Sequence, residues 1–222
     1  EGIFQIDLQL RPYGKAGSLA VSLDAFRRYF APGGPAWPYE RQALVKLRPV
    51  AGDAALGREL EALRDAFVYT AAPFDTAAMR AMRERQLRHL AEPGRINAKF
   101  SKGGLVDVEY IAQGLQMAHG HRDPALRATN TAAAIAALAE HGLISAENAA
   151  RLTEALTFLQ QLINALRMVR GNSKDLTVPP VESEEFAFLA RRLGYGNDAA
   201  RLSVTLNEMM GWVQRLEGRL LG

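Results

Sequence analysis

The residue types best suited to chemistry lie in two short stretches, one at the start of the chain and one near its middle. Asp7 sits in an alternating run of apolar and polar residues. A carboxylate fixed on a strand is a good metal ligand or general base, because the sheet holds its direction. In the middle stretch, Lys99 and Lys102 precede the pair Gly103-Gly104, which opens a helical pattern. A helix N-terminus offers N–H donors and a positive dipole end, so a phosphate group could approach there.

Each of these features also has an ordinary structural explanation. Asp7 could face solvent or pair with Arg11, and a Mg²⁺ site usually needs more than one protein carboxylate. Two glycines make a turn, and acids in a first helical turn complement the dipole. Asp107 and Glu109 point about 200° apart on a helix, so they cannot form one paired carboxylate site. If one of the two faces a cleft, we favour Asp107.

Other signals for catalysis are weak. The four histidines lack the spacing of a metal site; they are His89, His119, His121 and His141. The sequence contains no nucleophile elbow, Walker loop or dinucleotide fingerprint. The arginines between residues 80 and 88 are spread around a predicted helix, which favours a solvated face over an anion or nucleic-acid patch.

Composition bounds the class of protein. The 222 residues are 48% apolar and 23% charged, as in ordinary globular proteins, and the net charge of +3 gives no case for DNA or RNA. The absence of cysteine excludes a disulfide scaffold and fits a reducing compartment, so we expect a cytoplasmic location. No apolar run approaches the roughly 18–20 residues that span a membrane. The chain opens in mid-pattern without Met, which indicates a piece of a longer protein.

The elements that must position these residues are a β-containing start and a helical bundle. Alternation over residues 3–10 predicts a strand, and residues 19–21 could pair with it as a second one. From residue 53 onward the pattern is helical almost throughout. We therefore predict a mainly α fold, in which residues 1–50 contain the strands and residues 53–222 form the bundle.

The helix after Gly104 is predicted to run to about residue 118 with a single apolar face. The residues assigned to that face are Leu105, Val108, Ile111, Ala112, Leu115 and Met117. A helix of about 25 residues is predicted to follow Ser145, and the sequence DLTVPP at 175–180 is predicted to be an extended connector.

Three blocks of sequence carry a family resemblance. They are IDLQLRPYGKAGSLAVS, which contains Asp7; WPYERQALVKLR at 37–48; and KFSKGGLVDVEYIAQGLQM at 99–117. In order and approximate spacing they resemble the glutamine synthetase adenylyltransferase and deadenylylase family. The related PII uridylyltransferases share the same kind of helical region.

The resemblance implies the end of a nucleotidyltransferase domain related to DNA polymerase beta, with a helical domain behind it. Enzymes of this family transfer AMP from ATP to a tyrosine of glutamine synthetase, or remove it by phosphorolysis. Asp7 would be the third of three carboxylates that hold two Mg²⁺ ions. Arg11 would be a partner for a phosphate or an acid.

The resemblance also gives the middle stretch a role. Lys99, Lys102 and the helix start at Gly103-Gly104 would face the nucleotide or the cleft between domains, and Asp107 is the candidate to face the same cleft. The implied partners are glutamine synthetase and a PII signal protein.

The sequence departs from the family pattern in ways that matter. The Gly-Ser and Asp-x-Asp elements that supply the other two carboxylates are absent, Gln9 replaces an arginine, and Pro38 and Tyr39 separate Trp37 from Glu40. We therefore expect the chain alone to be inactive. Two alternatives stay open: a non-catalytic regulatory or protein-binding helical module, and part of a PII uridylyltransferase. The sequence does not decide between addition and removal of AMP.

Overall fold

The computed structural model describes Leu8 and residues 10–221, and it is mainly helical. The helices are α1 (Leu23–Phe30), α2 (Pro38–Leu44), α3 (Ala54–Val68), α4 (Thr76–Leu90), α5 (Leu105–His119), α6 (Thr131–Glu140), α7 (Ala146–Arg170), α8 (Glu184–Arg192) and α9 (Ala199–Leu220). Short 3₁₀ turns lie at Gly14–Ala16 and Pro124–Leu126. In this part of the chain, no helix is both long and apolar enough to cross a membrane.

Several helices begin where side chains can cap them. Ser22, Asp53, Asn130 and Ser145 each accept a hydrogen bond from the backbone N–H three residues further on. Such caps satisfy N–H groups that the helix itself leaves unpaired. Helix α7 has the predicted length of 25 residues and ends at Gly171, whose φ of 63° is left-handed. The helical part of the sequence prediction is thereby confirmed.

The predicted β-containing start is not seen. The strand over residues 3–10 lies almost wholly outside the described residues. Residues 19–21 are not a strand, and Leu19 is 73% exposed. The chain turns tightly before them, with Arg11 Nε donating to the Gly17 carbonyl at 3.1 Å. Within the described residues, β pairing is limited to one antiparallel bridge between Asn97 and Thr177.

The described residues form two compact units. One, called here the long-helix unit, comprises residues 80–111 and 144–221; the other, called the aromatic unit, comprises residues up to 79 and residues 112–143. The sequence predicts a nucleotidyltransferase domain in residues 1–50 and a bundle in residues 53–222. The two compact units divide the chain at other positions, so these domains stay a prediction.

The long-helix unit is built around α7, which contacts both α8 and α9. Its buried side chains repeat at helical spacing: Leu152, Leu156, Leu159, Leu162, Ile163 and Leu166. Full burial of one such side chain contributes about 1.5–3 kcal/mol. The connector at 175–180 is extended, as predicted, and Ala98 N–H donates to the Leu176 carbonyl at 2.9 Å. This contact ties the stretch before α5 to the unit.

The aromatic unit has a core of rings and aliphatic side chains. Its buried members are Phe26, Tyr29, Phe30, Leu44, Val45, Val68, Tyr69 and Met117. The ring centroids of Phe26 and Phe30 lie 4.6 Å apart, and those of Phe30 and Phe67 lie 5.0 Å apart. Such pairs add about 0.5–1.5 kcal/mol to the burial of their area.

Helix α5 is buried around nearly its whole circumference, so the prediction of a single apolar face is wrong. Polar side chains on the other faces are buried with their hydrogen bonds satisfied. Gln42 Nε2 donates to Gln113 Oε1 at 2.9 Å, and Gln116 Nε2 donates to the Leu126 carbonyl at 2.6 Å. Burial of polar groups is tolerated because these partners replace water.

Candidate functional site

The stretch that leads into α5 is held rigidly by its own polar groups. Asn97 Oδ1 accepts hydrogen bonds from the N–H groups of Lys99 and Phe100, both at 3.0 Å. Ser101 Oγ accepts from the Asn97 N–H at 2.8 Å. Local hydrogen bonds and the bridge between Asn97 and Thr177 therefore fix most of the stretch from 97 to 104.

Gly103 is needed because the backbone of α9 passes against it. Its φ is +76°, a conformation that other residues rarely adopt. A Cβ atom at this position would overlap the carbonyl oxygen of Met210 and lie 2.8 Å from the Met210 Cα. A Cβ on Gly104 would lie 2.9 Å from the carbonyl oxygens of Lys99 and Ser101. The two glycines thus allow close packing of backbone on backbone.

The N–H groups at the start of α5 already have protein partners. Gly103 donates to Asp107 Oδ2 at 2.6 Å, and Gly104 donates to the Ser101 carbonyl at 2.9 Å. Leu105 and Val106 donate to carbonyl groups of the preceding loop, both at 3.1 Å. The prediction that a phosphate contacts Gly103 and Gly104 stays a prediction, but these amides are not free donors in the structure.

Asp107 forms a buried ion pair with Arg83. Asp107 is 5% exposed and Arg83 is 8% exposed, and Asp107 Oδ1 accepts from Arg83 Nε. Arg83 Nη2 also donates to the carbonyls of Phe100 and Ser101, at 2.9 and 3.1 Å. The arginine therefore clamps the loop before α5, and Asp107 holds the arginine.

The interpretation of residues 80–88 as a solvated face is wrong for Arg83, whereas Arg80, Arg85 and Arg88 are exposed. Arg83 is buried, and Arg80 donates from Nε and Nη2 to the Leu221 carbonyl at 3.1 and 2.6 Å. The burial of Arg83 could have been predicted from the sequence. Arg83 lies four residues after the apolar residue Met79 and four before the apolar residue Leu87, so helical spacing places it on the same face as these two residues.

Lys102 and Asp107 lie together on a pocket of about 170 Å³ between α4, the loop before α5 and α9. Its charged lining consists of three cations and three carboxylates: Arg80, Arg83, Lys102, Glu84, Asp107 and Glu217. Burial raises the pKa of the Glu217 carboxyl above its usual value, and the nearby negative charge of Asp107 raises it further. All of these residues belong to the long-helix unit.

The remaining predicted site residues lie elsewhere. Lys99 does not line the pocket; its Nζ is 5.0 Å from the ring centroid of Phe100. Arg11 lies in the aromatic unit, where its guanidinium donates to the carbonyls of Leu8 and Gly17. Asp7 lies outside the described residues.

The residues that the structure describes do not include a group of three His, Asp or Glu side chains able to hold a metal ion. The Mg²⁺ prediction depends on Asp7 and is untouched by this finding. His141 Nδ1 pairs with Asp123 Oδ2, so this histidine, one of the four in the chain, has an ordinary protein partner.

Comparison with known proteins identifies the class to which these helices belong. Residues 76–221, more than half of the chain, match the family model described as GlnD PII-uridylyltransferase. Residues 1–63 match the model described as Glutamate-ammonia ligase adenylyltransferase. The chain belongs to the glutamine synthetase adenylyltransferase family, which is related to the PII uridylyltransferases.

Similar curated proteins carry the name bifunctional glutamine synthetase adenylyltransferase/adenylyl-removing enzyme. The protein of Streptomyces avermitilis is 38% identical over 197 residues, which are 86% of this chain and 19% of that protein. The protein of Mycobacterium bovis is 38% identical over 206 residues, 89% of this chain and 20% of that protein. The protein of Hahella chejuensis is 36% identical over 170 residues, 74% and 17% respectively. The chain thus spans about a fifth of the length of these relatives.

Proposed function

We propose that this chain is part of an enzyme that attaches AMP to glutamine synthetase or removes it. The observation that carries the proposal is the order of the two family matches. An adenylyltransferase match at residues 1–63 is followed directly by a helical match at 76–221. Relatives that share this region at 34–38% identity are named for both activities.

In this proposal Asp7 supplies one carboxylate for Mg²⁺, and ATP is the nucleotide substrate. Arg11 binds a phosphate or an acidic group near it. The other metal-binding carboxylates would come from elsewhere in a longer protein. Such an arrangement fits the need of phosphoryl-transfer chemistry for several fixed acids around two metal ions.

The stretch before α5 would act as the junction between the helices and the nucleotide-handling part. Lys102 is exposed and lies beside two arginines, which supports a role towards an anion. Lys99 is half-buried over an aromatic ring, so its phosphate role has less support. Asp107 is fully engaged by Arg83 and Gly103, which supports a positioning task for this carboxylate.

The proposal predicts that the chain alone does not transfer AMP. Purified chain, checked for helical content by circular dichroism, is mixed with unmodified glutamine synthetase, Mg²⁺ and ATP labelled on the α-phosphate. A complete bifunctional relative serves as the positive control. No label should appear on glutamine synthetase with the chain alone, and robust labelling would contradict the division of labour proposed here.

A second function is favoured by the longer of the two family matches, which bears the name of PII-uridylyltransferase. In that case the longer protein would transfer UMP from UTP to a PII signal protein. Offering the longer protein labelled ATP with glutamine synthetase, and labelled UTP with a PII protein, separates the two. Label on glutamine synthetase alone supports the first proposal, and label on the PII protein alone supports the second.

The helical chain could also bind partners without catalysing anything. Its proposed partners are glutamine synthetase and a PII signal protein, in the cytoplasm, where ATP and both proteins would be available. Calorimetric titration of the chain with each protein tests this. Saturable binding without label transfer supports a docking role, whereas no binding to either protein removes it.

A further inference from the structure

Arg83 is fixed in place with part of its hydrogen-bonding capacity unused. Nε donates to Asp107, and Nη2 donates to two loop carbonyls. The third nitrogen, Nη1, has no hydrogen-bond partner among the residues that the structure describes, although the side chain is only 9% exposed. A buried donor left without a partner costs about 1–3 kcal/mol, more when charged. Nη1 itself is covered by protein atoms, so an acceptor in the pocket would recover that energy only after a neighbouring side chain moves aside.

The pocket beside Arg83 supplies further donors. Lys102 is exposed, and Gln214 adds an amide. Arg80 adds a second guanidinium, whose Nε and Nη2 already donate to the Leu221 carbonyl. The volume of about 170 Å³ accommodates a small ion or the end of a larger ligand. Charged donors make hydrogen bonds to oxyanions that are stronger than neutral ones, and arginine matches phosphate and carboxylate geometry best.

The carboxylates of the pocket set a limit on affinity. Asp107 and Arg83 neutralise each other in their ion pair, so the net positive charge available to an anion comes from Lys102 and Arg80. Glu84 and Glu217 remain, and both would repel an anion when ionised. Burial raises the pKa of Glu217, so its carboxyl takes up a proton more readily than an exposed one. Binding of an anion should therefore be weak, and it should tighten when Glu217 loses its charge.

We propose that this pocket binds the oxyanion group of a small ligand, a phosphate or a carboxylate, through Arg83, Lys102 and Arg80. Every residue of the site belongs to the long-helix unit, so the site is complete without the residues around Asp7. The proposal therefore does not depend on the transfer of AMP, and the two can fail separately.

The test uses the 222-residue chain with sulfate as a probe for phosphate and acetate as a probe for carboxylate. Ionic strength is kept constant with sodium chloride, because general screening would otherwise mimic binding. Sulfate does not titrate between pH 5 and 8, so changes with pH report the protein. Titration is followed by nuclear magnetic resonance shifts of backbone amides. Saturable shifts at residues 80–84 and 101–107 are expected, with a dissociation constant on the order of 1 mM for a few charged hydrogen bonds.

Two exposed positions keep the test independent of folding. Lys102→Met should weaken sulfate binding about tenfold, the effect of losing one charged hydrogen bond. Lys174→Met is the matched control, since Lys174 is an exposed lysine of the same unit that does not line the pocket, and this variant should bind sulfate as the parent does. Glu217→Gln should tighten binding several-fold at pH 7.

Each outcome either supports or overturns the proposal. Binding of both probes supports recognition of oxyanions in general, and binding of sulfate without acetate supports a phosphate ligand. Absence of saturable shifts in the parent chain overturns the proposal. Equal weakening by Lys102→Met and Lys174→Met, or weaker binding in Glu217→Gln, would also overturn it, because each result would mean that the pocket is not the site.

Discussion

Replacing Gly103 by alanine tests the inference that this glycine serves helix packing. The residue has φ +76°, and a Cβ would lie 2.8 Å from the Met210 Cα, where ordinary contacts begin at 3.4 Å. A side chain in the left-handed region costs about 1–2 kcal/mol. Forcing atoms into a filled space costs about 1–3 kcal/mol more, and backbone cannot move aside as a flexible side chain does. We therefore expect Gly103→Ala to lower the free energy of unfolding by about 2–5 kcal/mol.

Gly171→Ala is the matched control. Gly171 also has a positive φ, of 63°, and belongs to the same unit, but an added Cβ would meet no atom within 4 Å. In this variant the free energy of unfolding should fall only by the cost of the left-handed backbone conformation, about 1–2 kcal/mol. The difference between the two variants therefore isolates the contact with α9.

The assay is equilibrium unfolding in urea, followed by circular dichroism of the helices. Equal losses of stability in both alanine variants would refute the packing inference. A Gly103→Ala variant that is as stable as the parent would refute it more strongly. If such a variant also bound nucleotide less tightly in the longer protein, the original prediction of a phosphate contact would be the better account of this glycine.

Three further predictions concern charges and hydroxyl groups. Asp107→Asn leaves Arg83 buried without its counter-ion and should cost about 3–5 kcal/mol, whereas the exposed control Glu154→Gln should change stability by less than about 0.5 kcal/mol. Burial raises the pKa of Tyr69 to about 12, so stability should fall as pH rises above 10. Tyr69→Phe should make this fall in melting temperature shallower, and part of it should remain because burial also raises the pKa of Tyr29. The pKa of Glu217 is raised, chiefly by burial, so Glu217→Gln should stabilise the chain at neutral pH and lose this advantage near pH 4, where both states bind the proton.

Each of these can be contradicted by a simple result. An Asp107→Asn variant as stable as Glu154→Gln would mean that the buried pair contributes nothing. A Tyr69→Phe variant that is clearly less stable at neutral pH would mean that the hydroxyl, which has no hydrogen-bond partner among the described residues, makes a bond after all. A Glu217→Gln variant that is stabilised equally at pH 4 and pH 7 would mean that the carboxyl charge is not the cause.

Helix boundaries could be predicted from sequence because their causes are local. Asn130 and Ser145 cap helices through a bond to an N–H only three residues away, and Gly171 ends α7 by its own conformation. Such helix start and stop signals depend only on a few consecutive residues. The family resemblance was also carried by short blocks, and the comparisons confirm it.

The environment of the site could not be predicted in the same way, because its causes are distant in sequence. Arg83 meets Asp107 across 24 residues, and Gln42 meets Gln113 across 71. Helical spacing indicates that Arg83 faces inward, but it does not identify Asp107 as the partner that allows the charge to be buried. The sequence around Gly103 predicts an opening for a ligand, because the backbone of Met210, which fills the space, is far away along the chain.

The most direct measurement of the central claim is AMP transfer by the longer protein proposed to contain this chain, with and without Asp7. The exchange Asp7→Asn keeps the size of the side chain and removes its charge. With labelled ATP, Mg²⁺ and glutamine synthetase, we expect transfer to fall about a hundredfold or more, because a metal-binding carboxylate is lost. Transfer near the parental rate, with Asp7→Asn protein of unchanged helical content, would contradict this expectation.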